Sequence, residues 1–244
     1  MGFKGKRTFI FILLLSIILF GFQMLVSYKN NYYEEIEYVA KIDNNLIEDN
    51  KEEVNKILEL RRQYSNEDIT GFISIDDVDI NEPVLKYKDN DYYLHHDNYG
   101  KYEINGSIFQ DYRINLSDRK VLIYGHSSIY DDIPFNNLEK YYSKDFYDKH
   151  RYINLITEND SYKYEIFSVY VETSDFTYMN LKISDDTYNE MLKKYVNKSL
   201  YDTGVKVSDN DEIIILQTCS NDSRYSRYKK KFLLVIGKKI FKEG

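Results

Sequence analysis

The chain is poor in cysteine, proline and tryptophan, and it carries no excess of positive charge. Its 244 residues include one Cys, two Pro and no Trp, and 40 acidic against 33 basic residues give a net charge of −7. Because no basic tract runs through the chain, the sequence gives little support to a nucleic-acid-binding function. One Cys and four scattered His residues provide no ligand spacing typical of zinc, so we expect neither a metal nor another cofactor.

The N-terminal region contains one long apolar segment without charge. Residues 8–26 read TFIFILLLSIILFGFQMLV, close to the ~20 residues that span a bilayer as a helix. Lys4, Lys6 and Arg7 precede it, which favours a cytoplasmic N-terminus. A cleaved signal peptide is the alternative, but the run exceeds an ordinary signal core of ~7–15 residues and no small-residue cleavage site follows. We therefore predict a cytoplasmic segment 1–7, a retained membrane anchor 8–27 and an extracellular remainder.

The rest of the chain changes from a helical to a strand pattern. Residues 28–68 are charged and helix-like, and they are predicted to form a stalk or N-terminal helices that pack on the following domain. From Gly71 onward, polar loops separate apolar runs of strand length. These runs are Phe72–Ile75, Ser107–Phe109, Val121–Tyr124, Tyr152–Ile156, Tyr164–Val171, Ile213–Leu216 and Phe232–Ile236. The sequence thus predicts a mainly β domain over 69–244, with the architecture of a barrel.

One segment interrupts the strand pattern. Between Ser184 and Ser199, the apolar residues that follow helical spacing are Tyr188, Met191, Leu192, Tyr195 and Val196. Asp185 and Asp186 lie in the first turn and lysines lie toward the end, as the helix dipole favours. We predict one long inserted helix over about 184–199, which serves as a wall or cover of the domain.

The single thiol, Cys219, is the first candidate for catalysis. An exported domain with one Cys has no internal disulfide, so this thiol is unpaired, intermolecular or catalytic, and a buried structural thiol is the alternative. Cys219 ends the buried run 212–219 and precedes the polar loop 220–227. Because a strand end is rigid and the loop beyond it is accessible, this position suits a nucleophile.

A thiol nucleophile needs a base and a donor for the oxyanion that forms on the attacked carbonyl. His126 ends another buried run, 120–126, so its position mirrors that of Cys219. The other three histidines lie in polar turns and are assigned to the surface or to local structure. Arg224 and Arg227 follow Cys219 closely, and an Arg there has the hydrogen-bonding fork to hold a peptide carbonyl, although a solvated basic cluster is a serious rival.

Several segments, in order, resemble the sortase family and its class B in particular. The resemblance covers roughly residues 70–240. The matching segments are Asn81-Glu-Pro-Val84 with Asp89-Asn-Asp-Tyr-Tyr-Leu94, Gly106-Ser-Ile-Phe-Gln-Asp-Tyr-Arg113, Val121-Leu-Ile-Tyr-Gly-His126, Phe135-Asn-Asn-Leu-Glu-Lys-Tyr141 and Leu216-Gln-Thr-Cys219. The last segment is similar to the family motif TLxTC, with Ile215 in place of its first Thr.

The resemblance implies an eight-stranded sortase barrel with Cys219 as nucleophile, His126 as general acid and base, and an Arg as substrate and oxyanion clamp. Arg227 fits the family spacing from Cys219 if 228–231 is a short insertion, Arg224 is the alternative, and an alignment without gaps places Phe232 there. Thr218 and Ser127, the neighbours of the catalytic pair, are assigned to substrate binding.

The implied activity is that of a transpeptidase, peptidase C60-like and of EC class 3.4.22, in a Gram-positive-type envelope. It cleaves a C-terminal sorting motif after Thr through a thioacyl-enzyme and joins the surface protein to a peptidoglycan cross-bridge or lipid-linked precursor amine. Two alternatives remain open at this point: a hydrolytic cysteine peptidase with the same dyad, and a non-catalytic membrane-tethered surface protein.

Overall fold

The computed structural model describes residues 56–181 and 183–240, together with 23, 24 and 27. The chain divides into two compact units, Met1–Lys51 and Glu52–Gly244, and every strand described below belongs to the second. No helix among these described residues is long and apolar enough to cross a membrane. The predicted anchor over 8–27 lies outside the described residues, apart from the isolated positions 23, 24 and 27.

Eight strands form a closed barrel, as the sequence predicted. They are β1 Ile69–Ser74, β2 Asn81–Leu85, β3 Phe109–Gln110, β4 Lys120–Tyr124, β5 Tyr152–Thr157, β6 Ser161–Glu172, β7 Ile213–Cys219 and β8 Phe232–Ile240. Their order around the barrel is β1-β2-β3-β4-β7-β8-β6-β5, and β5 pairs with β1 to close it. Two pairs, β2 with β3 and β4 with β7, are parallel, and the others are antiparallel.

The parallel pair β4–β7 forms the centre of the core. All five residues of β4 are buried, and so are the first four of β7. A strand that is covered on both faces needs a continuous apolar run rather than an alternating one, and both segments have this pattern. Since the strands are parallel and in register from Lys120↔Ile213 to Tyr124↔Gln217, their carboxyl ends emerge side by side.

Within the described part of residues 56–240, three α-helices accompany the barrel: α1, described over 56–64, α2 Lys144–Tyr147 and α3 Asp185–Lys198. Ile57 and Leu60 of α1 are buried in the core, so this helix packs on the domain. The inserted helix α3 begins one residue after Ser184, whose side chain accepts a hydrogen bond from Thr187 N. Its predicted apolar face is buried except for Val196, and it packs against β6.

Strand β2 did not appear among the apolar runs of the sequence. Its residues Asn81–Leu85 include Pro83 and only two other apolar residues, a composition that argues against a strand interior. Pairing with β1 nonetheless places Pro83 opposite Phe72 and buries Val84 and Leu85. The remainder of the barrel therefore determines this strand more than its own composition does.

Four short 3₁₀ segments complete the fold: Tyr92–Leu94, Pro134–Tyr142, Phe176–Met179 and Ser223–Tyr225. The first two lie in segments that resemble the sortase pattern, and the last lies in the loop after Cys219. The first lies between β2 and β3, the second between β4 and α2, the third between β6 and α3, and the fourth between β7 and β8.

Candidate active site

Cys219 and His126 line the same groove. Cys219 is the last residue of β7 and is exposed, and His126 lies two residues beyond the end of β4 and is half-buried. Because these two strands are parallel neighbours, their ends bring the thiol and the imidazole together. The groove has a volume of about 320 Å³ and is lined by Asn90, Leu94, Phe109, Tyr124, Gly125, His126, Met179, Gln217, Thr218, Cys219 and Phe232.

The imidazole of His126 is held by a backbone carbonyl. Its Nε2 lies 2.9 Å from the carbonyl oxygen of Leu94. A carbonyl oxygen only accepts hydrogen bonds, so Nε2 carries the proton in this arrangement. In the neutral ring, Nδ1 then has the free lone pair, and it is the atom available to take up and return a proton.

Gly125 brings His126 close to the 3₁₀ segment Pro134–Tyr142. A Cβ atom at position 125 would lie 2.5 Å from the ring of Phe135, closer than real contacts allow. A larger residue would therefore push the ring or the strand end away. This close approach explains the glycine in the Tyr-Gly-His sequence.

The Cys219 thiol sits in an environment that disfavours its ionisation. Burial of the surrounding site raises the pKa of Cys219, and the positive charge of Lys231 opposes this rise. Lys231 lies at the start of β8, where its carbonyl oxygen accepts a hydrogen bond from Ser220 N at 2.9 Å. Lys231 is thus the cation that acts on the thiol.

The two arginines predicted as clamp candidates lie on the loop after Cys219 and do not line the groove. Arg224 forms an ion pair with Asp222, with Nη2 at 2.6 Å from Oδ2, and its Nε also donates to this carboxylate. Arg227 is exposed and donates to the hydroxyl of Tyr228 at 2.7 Å. Phe232, which the alignment without gaps places at the position of the family arginine, pairs with Cys219 across β7 and β8.

The predicted substrate-binding residues occupy different environments. Thr218 is buried beside the groove, and its hydroxyl makes no hydrogen bond within the described part of the chain. The Ser127 hydroxyl accepts a hydrogen bond from Asn221 Nδ2 at 2.5 Å. Ser127 therefore links the loop after His126 to the loop after Cys219.

Two further contacts hold the loop after Cys219 in place. Asn221 N donates to Glu139 Oε1 at 2.6 Å, and the hydroxyls of Tyr142 and Ser220 lie 2.6 Å apart. Both Glu139 and Tyr142 belong to the 3₁₀ segment Pro134–Tyr142. This segment thus supports the nucleophile loop, a role that the sequence match did not reveal.

A buried carboxylate lies behind the groove. Burial alone would raise the pKa of Asp111, but hydrogen bonds from Arg113, Tyr124 and Asn90 hold it below its usual value. The Arg113 guanidinium binds both carboxylate oxygens, at 2.8 and 2.7 Å. Because Tyr124 and Asn90 line the groove, Asp111 fixes two of its walls.

The remaining histidines do not line the groove. His96 Nδ1 lies 2.7 Å from the Tyr92 carbonyl oxygen, and His150 Nδ1 lies 3.2 Å from the Asp76 carbonyl oxygen. His95 is exposed, with its ring centroid 6.4 Å from that of His126. Among the described residues, no group of three or more His, Cys, Asp or Glu side chains is arranged to hold a metal ion.

The sequence is similar to proteins named sortase B. The chain is 37% identical to sortase B of Listeria monocytogenes over 183 residues, which are 74% of this chain and 73% of that protein. It is 31% identical to sortase B of Staphylococcus aureus over 242 residues, which are 96% of this chain and 97% of that protein.

The fold is similar to solved sortase B structures. A mutant form of Clostridium perfringens sortase B has a TM-score of 0.70 at 29% identity, covering 80% of this chain and 90% of that chain. A Staphylococcus aureus sortase B–substrate complex has a TM-score of 0.65 at 29% identity and covers 81% of this chain and 97% of that chain. A sortase B complexed with triglycine has a TM-score of 0.66 at 28% identity, covering 81% and 98%.

A family model described as the sortase domain matches residues 73–239, from β1 to the end of β8. This match covers more than half of the chain and includes the groove with both Cys219 and His126. Together with the sortase B relatives and the eight-stranded barrel, it shows that the chain belongs to the sortase family, in its class B.

Proposed function

We propose that this sortase-family transpeptidase cleaves a C-terminal sorting signal after Thr and transfers the released carbonyl to a cell-wall amine. The observation that carries the proposal is the placement of Cys219 and His126 at one groove by two adjacent parallel strands. A thiol and an imidazole in one groove, with a fixed tautomer, are the groups that covalent acyl transfer requires.

In the first half-reaction, the Cys219 thiolate attacks the carbonyl carbon of the Thr residue and a C–S bond forms. The carbonyl electron pair moves to oxygen and then returns as the C–N bond breaks. His126, protonated at Nδ1, gives this proton to the leaving amine, while Nε2–H stays bonded to Leu94 O. The products are a thioacyl-enzyme and a neutral imidazole.

We assign the oxyanion clamp to Arg227. To act as the clamp, the Arg227 guanidinium must break one hydrogen bond to Tyr228. Arg224 would instead have to break an ion pair with Asp222 that uses two of its nitrogens. The smaller cost of moving Arg227 supports its assignment, and Arg224 is the alternative. Thr218, with its unpartnered hydroxyl beside the groove, and Ser127 on the opposite loop are assigned to substrate binding.

In the second half-reaction, an amine resolves the thioacyl-enzyme. The amine nitrogen attacks the thioester carbon, neutral His126 takes its proton, and the C–S bond breaks to restore the thiolate. The triglycine complex of a similar sortase B supports a glycine-type amine as acceptor. We infer that a peptidoglycan cross-bridge or its lipid-linked precursor supplies this amine.

We further propose that the enzyme works outside the cell, held by the apolar segment 8–26 as a single-pass anchor with the N-terminus in the cytoplasm. The length of the segment and the basic residues before it support this topology. Full-length protein is expected in the membrane fraction, and protease added to intact cells should remove the domain. A mature soluble form that begins near residue 28–35 would contradict the anchor.

Mass spectrometry of the thioacyl-enzyme tests the chemistry. Wild-type protein incubated with a library of sorting-type peptides should gain the mass of an acyl fragment that ends in Thr, and added triglycine should convert this adduct into a peptide product. Cys219→Ala should show neither the adduct nor turnover. Because Cys219 is exposed and Ala is only slightly smaller, we expect the variant to stay folded with a loss of no more than about 1–2 kcal/mol.

Turnover by Cys219→Ala would overturn the cysteine mechanism. An adduct that only water resolves, whatever the amine concentration, would identify a hydrolytic peptidase instead of a transpeptidase.

A further inference from the structure

A second cavity is lined in part by His126. It has a volume of about 120 Å³, room for several water molecules at roughly 30 Å³ each. Its lining comes from β2, the loop between β2 and β3, and the start of the 3₁₀ segment Pro134–Tyr142. The lining residues are Glu82, Asp97, Asn98, Asn105, Gly106, Ser107, Ile108, His126, Ile133, Pro134 and Phe135.

His126 lines both this cavity and the catalytic groove. It is the only residue that lines both, since the groove and the second cavity otherwise draw on different positions of the described chain. A group bound in the second cavity therefore lies next to a residue that also lines the groove. An acyl acceptor needs such a position, because it must transfer its proton to the same imidazole that served the leaving amine.

Glu82 supplies one of the two carboxyl groups that line this cavity. It is half-buried on β2 and forms no ion pair with any described residue. Burial raises the pKa of Glu82, which a hydrogen bond from the Asn98 side chain partly opposes. A carboxylate that has lost part of its hydration without gaining a cation attracts a positively charged ligand.

The second carboxylate of the cavity has a structural role. Asp97 Oδ1 accepts hydrogen bonds from Tyr99 N and Lys101 N, both at 2.9 Å, and so shapes the loop. Asp97 adds negative charge to the cavity, but its replacement would also disturb this turn. Glu82 is therefore the residue through which the charge of the cavity can be tested.

Apolar side chains stand exposed on both loops that border the cavity. Tyr102 and Ile104 are 75% and 68% exposed on one loop, and Ile129 and Tyr130 are 68% and 89% exposed on the other. These four residues are near in sequence to residues that line the cavity, such as Asn105 and Ile133, but do not line it themselves. Isolated exposed apolar residues are common, so it is the carboxyl groups and His126 that indicate a ligand.

We propose that this cavity receives the primary ammonium group of the acyl acceptor, with Glu82 as its counter-ion, and admits it to the thioacyl carbon beside His126. The inference rests on the proposed transpeptidase activity, for which it specifies the route of the second substrate. The ammonium loses one proton to water, and the neutral amine attacks the thioester. His126 Nδ1 then accepts the second proton, the C–N bond forms, and the C–S electron pair returns to Cys219.

The test compares Glu82→Gln with Glu103→Gln. Both changes remove one negative charge, but Glu103 is exposed on the loop between β2 and β3 and does not line the cavity. With triglycine as acceptor and the peptide identified from the library as donor, Glu82→Gln should raise the KM for triglycine about tenfold, as expected for the loss of a partly desolvated ion pair. Glu103→Gln should stay within twofold of wild type.

The effect must be confined to the amine-dependent step. Formation of the thioacyl-enzyme without triglycine should change less than twofold in Glu82→Gln, and Glu82→Asp should recover part of the affinity for triglycine. N-acetylated triglycine, which has no ammonium group, should give no product with any variant. An unchanged KM for triglycine in Glu82→Gln, with normal thioacyl formation, would overturn the inference.

A binding experiment separates this inference from the proposed function. Triglycine is titrated into Cys219→Ala and into Cys219→Ala with Glu82→Gln, and the heat of binding is measured without any donor peptide. Weaker binding to the double variant supports the cavity as the ammonium site even if no peptide acylates the wild type, which would refute the transpeptidase alone. Equal affinities refute the site. Melting curves of both proteins check that they are folded.

Discussion

Replacement of Lys231 by Met removes the positive charge that opposes the raised pKa of Cys219. Lys231 is held next to the thiol because its carbonyl oxygen accepts from Ser220 N, and the following residue, Phe232, pairs with Cys219. A side-chain cation in this position favours the thiolate over the thiol. Its removal should therefore raise the pKa of Cys219 further and lower the thiolate fraction at every pH below that pKa.

The size of the effect follows from Coulomb's law. At an illustrative separation of about 7 Å, two unit charges interact with roughly 0.6 kcal/mol in water and roughly 2.4 kcal/mol at an effective dielectric constant of about 20. Since Cys219 is exposed, solvent screening favours the lower part of this range. A shift of about 0.5–1 pKa unit is expected, which reduces the thiolate fraction near neutral pH by about three- to tenfold.

The rate of alkylation by iodoacetamide measures this fraction directly. Because Cys219 is the only thiol of the chain, the reaction reports on it alone. The midpoint of the rate–pH profile should lie above that of an ordinary thiol, at ~8.5, and should move upward in Lys231→Met. Lys231→Arg should keep the wild-type midpoint, and Lys230→Met, which changes an exposed neighbour, should leave it in place.

Two results would refute this reasoning. A wild-type midpoint below that of a free thiol would show that the site stabilises the thiolate instead of the thiol. An equal shift in Lys230→Met and Lys231→Met would show a general effect of loop charge and no specific action of Lys231.

Three further predictions concern the clamp, the loops and the buried lysine. Arg227→Ala should lower kcat/KM by on the order of 10²–10³, as for a lost oxyanion donor, and Arg224→Ala should stay close to wild type; the opposite ranking would move the clamp to Arg224. Asn221→Ala removes the hydrogen bond to Ser127 and should lower the rate of thioacyl formation. The melting temperature should fall by only a few degrees, as for a hydrogen bond worth about 1 kcal/mol. Unchanged acylation kinetics would exclude a positioning role for Asn221. Burial lowers the pKa of Lys120 to about 7 in the folded chain. Between this pH and ~10.4, the ordinary pKa of a lysine, the unfolded chain therefore binds one more proton than the folded chain. The free energy of unfolding should then rise with pH by up to ~1.4 kcal/mol per pH unit. Urea unfolding at pH 7.5 and 9.5 should show a larger gain for wild type than for Lys120→Met, and equal gains would contradict the lowered pKa.

The sequence predicted those features that local patterns encode. Continuous apolar runs identified β4 and β7, whose ends carry His126 and Cys219, and helical spacing identified α3 to within a residue at each end. These elements are specified by burial of side chains that recur at a fixed period. The proximity of Cys219 and His126 was predicted because each residue stands at the end of a buried apolar run.

Features that depend on contacts between distant segments were not predictable in this way. The hydrogen bond between Asn221 and Ser127 joins residues 94 positions apart, and polar loop residues have no period that would reveal it. The same is true of the cavity lined by Glu82, where β2, the loop after it and the start of the 3₁₀ segment Pro134–Tyr142 meet. Strand β2 belongs to this group as well, since its pairing with β1 overrides the unfavourable Pro83.

Because β4 and β7 pair in parallel, the alignment of Cys219 with His126 depends on the register between these two strands. Five paired positions, from Lys120↔Ile213 to Tyr124↔Gln217, fix how far each strand extends beyond the other. Because successive side chains of a strand point to opposite faces, a slip of one residue would turn Cys219 away from the groove. A long connection that includes β5, β6 and α3 joins the two strands, so their pairing closes a large loop. A chain in which this loop is open has no aligned dyad with which to attack a peptide.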